Sequence, residues 1–234
     1  LAFEDLWPSQ GDYDMNDVVV GYSTTFTVDK DNRIVAIRDV VTPLHSGGKL
    51  RSAFGYQLDI PVTAVKGVKI ENGSSTAGLE KNQDKAVVIL FDDIEQAVAR
   101  GPVSVEIELD GSLSMDKVTR KSLYNPFICV SDKGFVPGAV RKEIHLTNYP
   151  PTSLADPYPF GRNDDKSSLD KAGNPIGPYY YATSELYPFA IDLPVTDYRI
   201  PDEMVKIDVF YPDFAGWVKS RGEKHKEWYK NSVK

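Results

Sequence analysis

Residues 18–28, VVVGYSTTFTV, decide the fold. Val18, Val20, Tyr22, Thr24, Phe26 and Val28 alternate with Val19, Gly21, Ser23, Thr25 and Thr27. That period of two marks a strand with one apolar face, because successive side chains leave an extended chain on opposite sides. Asp29-Lys30-Asp31-Asn32 reads as a turn, and the β-branched run at 33–42 returns as a second strand, so the pair predicts a long hairpin.

Immediately upstream lies an acidic segment, FEDLWPSQGDYDMND at 3–17, which this hairpin would seat on a stiff base. Glu4, Asp5, Asp12, Asp14 and Asp17 crowd into it, and no Lys or Arg occurs before Lys30. Five carboxylates held close repel one another and raise each other's pKa unless a cation or full solvation relieves them. Asp12, Asp14 and Asn16 alternate as D-x-D-x-N, the spacing by which a tight loop turns successive oxygens to one centre, as at positions 1, 3 and 5 of calcium loops. The remainder of an EF-hand is missing: Asp17 stands where it needs Gly, and Ser23 where it needs a bidentate Glu. Glu4 and Asp5, brought back by the turn at 7–11, can supply the absent carboxylates. A donor set made only of oxygens suits calcium and disfavours zinc or copper. The competing reading is a solvated acidic loop that merely precedes a strand.

Downstream, strand patterns recur at 53–60, 67–71, 85–91, 103–109, 125–130, 140–146, 188–193 and 205–211. Residues 72–84 read as a polar, exposed hairpin tip. Asp93 can cap a short helix at 94–100 that Gly101 ends. Near the C-terminus, Asp213 can cap a helix at 214–220, and a second is expected at 223–231. The expected fold is mainly β: an antiparallel, jelly-roll-like β-sandwich with a short internal helix and a C-terminal helical segment, forming one domain over 1–234. Its exception is a Pro- and Gly-rich excursion at 148–178. Asp164 and Asp165 in that excursion are candidates to join the first site, form a second, or cap a turn. Tyr179, Tyr180 and Tyr181 follow it, either as a stacking surface for sugar rings or as staples that hold the loop to the sheet.

Composition bounds the function. With 41% hydrophobic, 11% aromatic and 26% charged residues, the 234-residue chain is ordinary globular material. A net charge of −7 argues against nucleic acid or an anionic membrane as the main partner. The basic run from Lys219 to Lys234 reads as a solvated helical face. One cysteine, Cys129, leaves no internal disulfide, and no apolar run reaches membrane-spanning length. The chain opens at Leu1 without Met, as a mature chain does once its signal is removed. His45, His145 and His225 lack metal or triad spacing, while Glu106 and Glu108 share the solvent side of one strand.

The segment FEDLWPSQGDYDMNDVVV resembles the opening of the LruC-type domain, a family of largely uncharacterised bacterial surface and secreted proteins. NPFICV at 125–130, EIHLTNYPPT at 143–152, PFGRNDDKS at 159–167 and YPDFAGWVKSRG at 211–222 with Trp228-Tyr229 continue the resemblance in order. It implies an exported β-rich domain, surface-bound, outer-membrane-associated or secreted. It also implies a calcium-binding motif, here falling on Glu4, Asp5, Asp12, Asp14, Asn16 and Asp17, and carries no enzymatic activity over. The leading expectation is therefore a non-enzymatic domain whose calcium ion rigidifies a surface for adhesion or interaction, with a surface glycan or another envelope protein as partner. The alternatives are a carbohydrate-binding module using the aromatics of 150–181, and a carboxylate-dependent glycan hydrolase.

Overall fold

A computed structural model describes residues 1–233; Lys234, the end of the basic run, lies outside the described residues. The strands are β1 (Ala2–Phe3), β2 (Val18–Val28), β3 (Ile34–His45), β4 (Arg51–Pro61), β5 (Val65–Glu71), β6 (Gly78–Leu79), β7 (Lys85–Phe91), β8 (Val103–Leu109), β9 (Tyr124–Ser131), β10 (Lys142–His145) and β11 (Ala190–Ile191). The helices are α1 (Ile94–Arg100), α2 (Arg120–Leu123), α3 (Ile207–Phe210) and α4 (Phe214–Lys219). One antiparallel sheet runs β11-β1-β2-β3-β8-β5 and the other β10-β9-β4-β7-β6, so the chain switches repeatedly between layers in a jelly-roll-like path. The fold is the antiparallel β-sandwich that the period-two runs predict.

Alternation explains the core. In β8 the apolar Val103, Val105, Ile107 and Leu109 are buried, while Glu106 and Glu108 face water. These inward residues meet Phe54, Tyr56, Leu58, Val88, Leu90 and Ile128 of the opposite sheet in one hydrophobic cluster. The central strands of that opposite sheet are buried on both faces. Their outer side carries a smaller cluster of Ala53, Val87, Ile89, Phe127 and Cys129, with Phe135 packed on it. A buried polar clamp borders it. Arg141 donates to both oxygens of Glu80 at 2.6 and 2.8 Å and to Glu143 at 2.9 Å. Glu143 accepts in turn from the backbone and hydroxyl of Thr152, which ties the start of the irregular excursion to the sheet.

Four local expectations are corrected. Residues 205–211 are not a strand, because Ile207, Phe210, Tyr211, Phe214 and Val218 share helical spacing and enter a second core, whereas Val209 is exposed. The helix expected at 223–231 is reduced to the single turn Trp228–Lys230, which suffices to bury Trp228. Residues 72–84 are more than an exposed tip: they contain β6, and Glu80 and Gln83 are buried in the polar clamp. The strand at 188–193 shortens to Ala190–Ile191, closing the edge of the first sheet against β1.

Candidate metal centre

Strand register assembles the acidic residues. Phe3 pairs with Val18 and Ala2 with Val19, so continuing the antiparallel ladder one step outward sets Glu4 opposite Asp17. The connection between β1 and β2 is thus an acidic loop pinched at its base, and the Asp5 amide donates to Asp17 Oδ2 at 2.7 Å. Within the loop, Tyr13 and Met15 adopt left-handed backbone angles, φ 56° and 55°. Both side chains are buried in the second core, where the Tyr13 hydroxyl donates to the Pro188 carbonyl at 2.7 Å. Anchoring every second residue in that core leaves the alternating Asp12, Asp14 and Asn16 to gather on the other side. Asp14 is held by amide donors from Asn16 at 3.3 Å and Met204 at 2.9 Å, and the Asn16 amide group donates to Pro201 at 3.3 Å.

The result is an oxygen-rich site short of partners. Both carboxylate oxygens of Glu4, Asp5 Oδ2 and Asn16 Oδ1 are buried and make no hydrogen bond. Buried polar atoms without partners cost free energy, and a carboxylate costs most, so four such atoms around one loop mark a place that another group completes. Carboxylate oxygens of Glu4, Asp5 and Asp17 lie within 4.8 Å of one another, as do those of Glu4, Asp12 and Asp14. The crossover from β3 to β4 closes over them. A Cβ on Gly47 would fall 2.0 Å from Asn16 Oδ1, and one on Gly48 2.3 Å from Asp5 Oδ2.

Electrostatics agree with the packing. Burial, reinforced by Asp17, Asp12 and Asp14, pushes the Glu4 carboxyl up to about 10. Burial together with Asp5 raises Asp17 to about 7, and burial raises Asp14 to about 6. Lys142 of β10 is the cation that acts on the group, yet its ammonium bonds the Asp5 carbonyl at 2.9 Å rather than a carboxylate. Without a further cation the cluster is held by taking up protons; a hard divalent ion does the same work at neutral pH with oxygens this chain already presents.

The profile of a family described as a domain of unknown function, DUF4842, matches residues 32–229. The chain belongs to the DUF4842 family. The matched span starts beyond the acidic loop, so membership rests on the sandwich and the C-terminal segment. The crystal structure of a "Putative lipoprotein from Bacteroides ovatus" superposes on this DUF4842 domain with a TM-score of 0.66 at 19% identity, covering 99% of this chain and 72% of that one. At that identity the likeness is one of fold. No curated protein matches.

All six N-terminal candidates, Glu4, Asp5, Asp12, Asp14, Asn16 and Asp17, lie in this one loop, Asp12 partly exposed and the others buried. Asp164 and Asp165 do not join them. Asp164 accepts from the Gln10 amide at 2.9 Å. Asp165 is fully buried and fully partnered by the Trp7 indole, the Gly161 amide, and the amide and hydroxyl of Ser167. Both carboxylates fasten the excursion to the Trp7 turn. The three tyrosines also separate: Tyr179 is exposed, Tyr180 packs partly on the core, and Tyr181 is buried among Trp7, Phe160 and His145. Tyr181 is therefore a core staple and no sugar platform. Sequence reasoning missed Lys142 and Gly47-Gly48, which reach the site from 125 and some 30 residues beyond Asp17. The Gly-Gly pair was the one available signal, since adjacent glycines allow backbone to approach a site closely.

Proposed function

We propose that this DUF4842 domain is a non-enzymatic, exported β-sandwich presented at a bacterial surface, whose 4–17 loop holds calcium as a structural ion. The ion locks the N-terminal loop to the β3–β4 crossover and so rigidifies one end of the sandwich as an interaction surface, toward a glycan or an envelope protein. The observation that carries the reading is Glu4, whose two oxygens are buried without a partner among four further carboxylates. Its donors are carboxylates and one amide oxygen, the hard set that calcium takes. The likeness to the Bacteroides ovatus protein and the LruC-type resemblance of 3–20 support the exported location. A glycan hydrolase is less well supported, because Glu4, Asp14 and Glu143 are each at most 1% exposed and substrate must reach a catalytic carboxylate.

The test is thermal unfolding with calcium and with chelator. Calcium at a hundredfold its Kd adds about 2.7 kcal/mol, and at roughly 2–4 °C per kcal/mol for a chain of this size the melting temperature rises about 5–11 °C. Asp12→Ala/Asp14→Ala lowers the rise. Equal melting of the wild type in both buffers refutes the structural ion.

A second reading has one observation in its favour. Tyr179, Trp217 and Arg221 border a surface cavity of about 290 Å³ together with Asn148 and Leu186. Two aromatic rings at a groove suit stacking on a sugar face. Glycan binding lost in Tyr179→Ala and kept in Asp14→Ala would place the ligand there.

A further inference from the structure

We propose that the acidic loop binds two divalent cations, with the Glu4 carboxylate as the ligand they share. This rests on the calcium reading above and adds number and placement. Calcium holds its oxygens at about 2.3–2.6 Å, so two ligands of one ion cannot stand much more than about 5 Å apart. Among the described residues, the carboxylates that meet a 4.8 Å limit fall into two triads, Glu4–Asp5–Asp17 and Glu4–Asp12–Asp14, rather than one group of five. Glu4 alone belongs to both. Its two oxygens are both buried and both unpartnered, so neither is taken up by the protein.

Charge points the same way. The five carboxylates outnumber the one ammonium, that of Lys142, which acts on Asp5 and Asp17, so the loop carries negative charge for more than one cation. The triads differ in access. Glu4, Asp5 and Asp17 are all buried, and Gly48 packs against Asp5 Oδ2 and Asp17 Oδ1. Asp12 of the other triad is partly exposed, so water completes that shell. An ion in the closed triad gives up more water and exchanges slowly, while one in the open triad is held more weakly. The two centres therefore fill in sequence, the Asp5–Asp17 side first.

The experiment is a calcium titration of chelator-stripped protein by calorimetry, with bound metal counted by elemental analysis after dialysis against calcium. Wild type binds two ions per chain in a tight and a weak step. Asp12→Asn, at a partly exposed position, keeps the tight step and binds one. Asp14→Asn repeats the test on the same triad, with circular dichroism to show that each variant is folded. One ion in the wild type overturns the shared-ligand proposal and leaves the calcium reading standing. No ion overturns both. Two ions in both folded variants overturn the assignment of the weaker centre to Glu4, Asp12 and Asp14.

Discussion

Replacing Gly48 with alanine tests whether the β3–β4 crossover and the acidic loop form one site. The added methyl would sit 2.3 Å from Asp5 Oδ2 and 2.8 Å from Asp17 Oδ1, closer than side-chain contacts allow. Both carboxylates are buried, so relief requires the crossover to lift or the carboxylates to swing apart. Overpacking a filled site costs ~1–3 kcal/mol. At roughly 2–4 °C per kcal/mol the melting temperature falls by about 2–12 °C. The first movement uncovers the Asp5–Asp17 side of the cluster and the second parts its oxygens, so calcium affinity falls with stability. Gly67→Ala is the control, since its Cβ meets nothing nearer than Glu108 Oε2 at 3.7 Å and the position carries no left-handed angle. Circular dichroism melts of both variants, with and without calcium, read the difference. If Gly48→Ala melts and responds to calcium as Gly67→Ala does, the crossover does not close on the cluster and the described geometry is wrong.

Further outcomes follow from the buried charges. In metal-free protein the folded pKa of Asp14, Asp17 and Glu4 lies at about 6, 7 and 10, above their unfolded values, so the native state keeps protons the unfolded chain has released. Their contribution is full below about pH 4 and is lost as pH rises through pH 4 to 7 and onward for Glu4; stripped protein melts lower at pH 8 than at pH 5, calcium restores most at pH 8, and Glu4→Gln flattens the slope. Asp39, buried between the sheets, accepts from Thr24 at 2.6 Å, Tyr56 at 2.7 Å and Tyr124 at 2.9 Å. Asp39→Ala strands three hydroxyls and costs ~2–4 kcal/mol, read as a lower urea midpoint at unchanged slope. Asp165→Ala removes the acceptor of the buried Trp7 indole and of three donors in the excursion, so limited proteolysis cuts within 148–178 faster than in the wild type.

The sandwich was legible because its signal is local. Alternation in 18–28 and 103–109 and the Asp93–Gly101 caps of α1 need no knowledge of the rest of the chain, and each element stands where its residues predict. Residues 205–211 misled because Val205, Ile207, Val209 and Tyr211 alternate as a strand does, while the second core selects Ile207, Phe210 and Tyr211. The acidic loop was legible as a cluster of like charges. Its closure was not, since Lys142 and Gly48 are brought to it by sheet pairing across long stretches of chain. Asp164 and Asp165 illustrate the converse: adjacent carboxylates suggest a ligand pair, yet local turn amides and an indole from 158 residues away take up Asp165. The tyrosine triplet separates because three consecutive residues of an irregular chain need not share a face, and Tyr181, at φ 51°, turns inward.

A hard cation completing the oxygens around Glu4, as proposed, is visible directly by X-ray diffraction. The most direct measurement is an anomalous difference map from crystals grown with calcium and recorded at long wavelength. The expected result is a peak within ~2.3–2.6 Å of a Glu4 carboxylate oxygen, flanked by Asp17 or Asp14. A well-ordered map with Glu4 hydrogen-bonded as a neutral acid, and no anomalous peak in the loop at millimolar calcium, would contradict it.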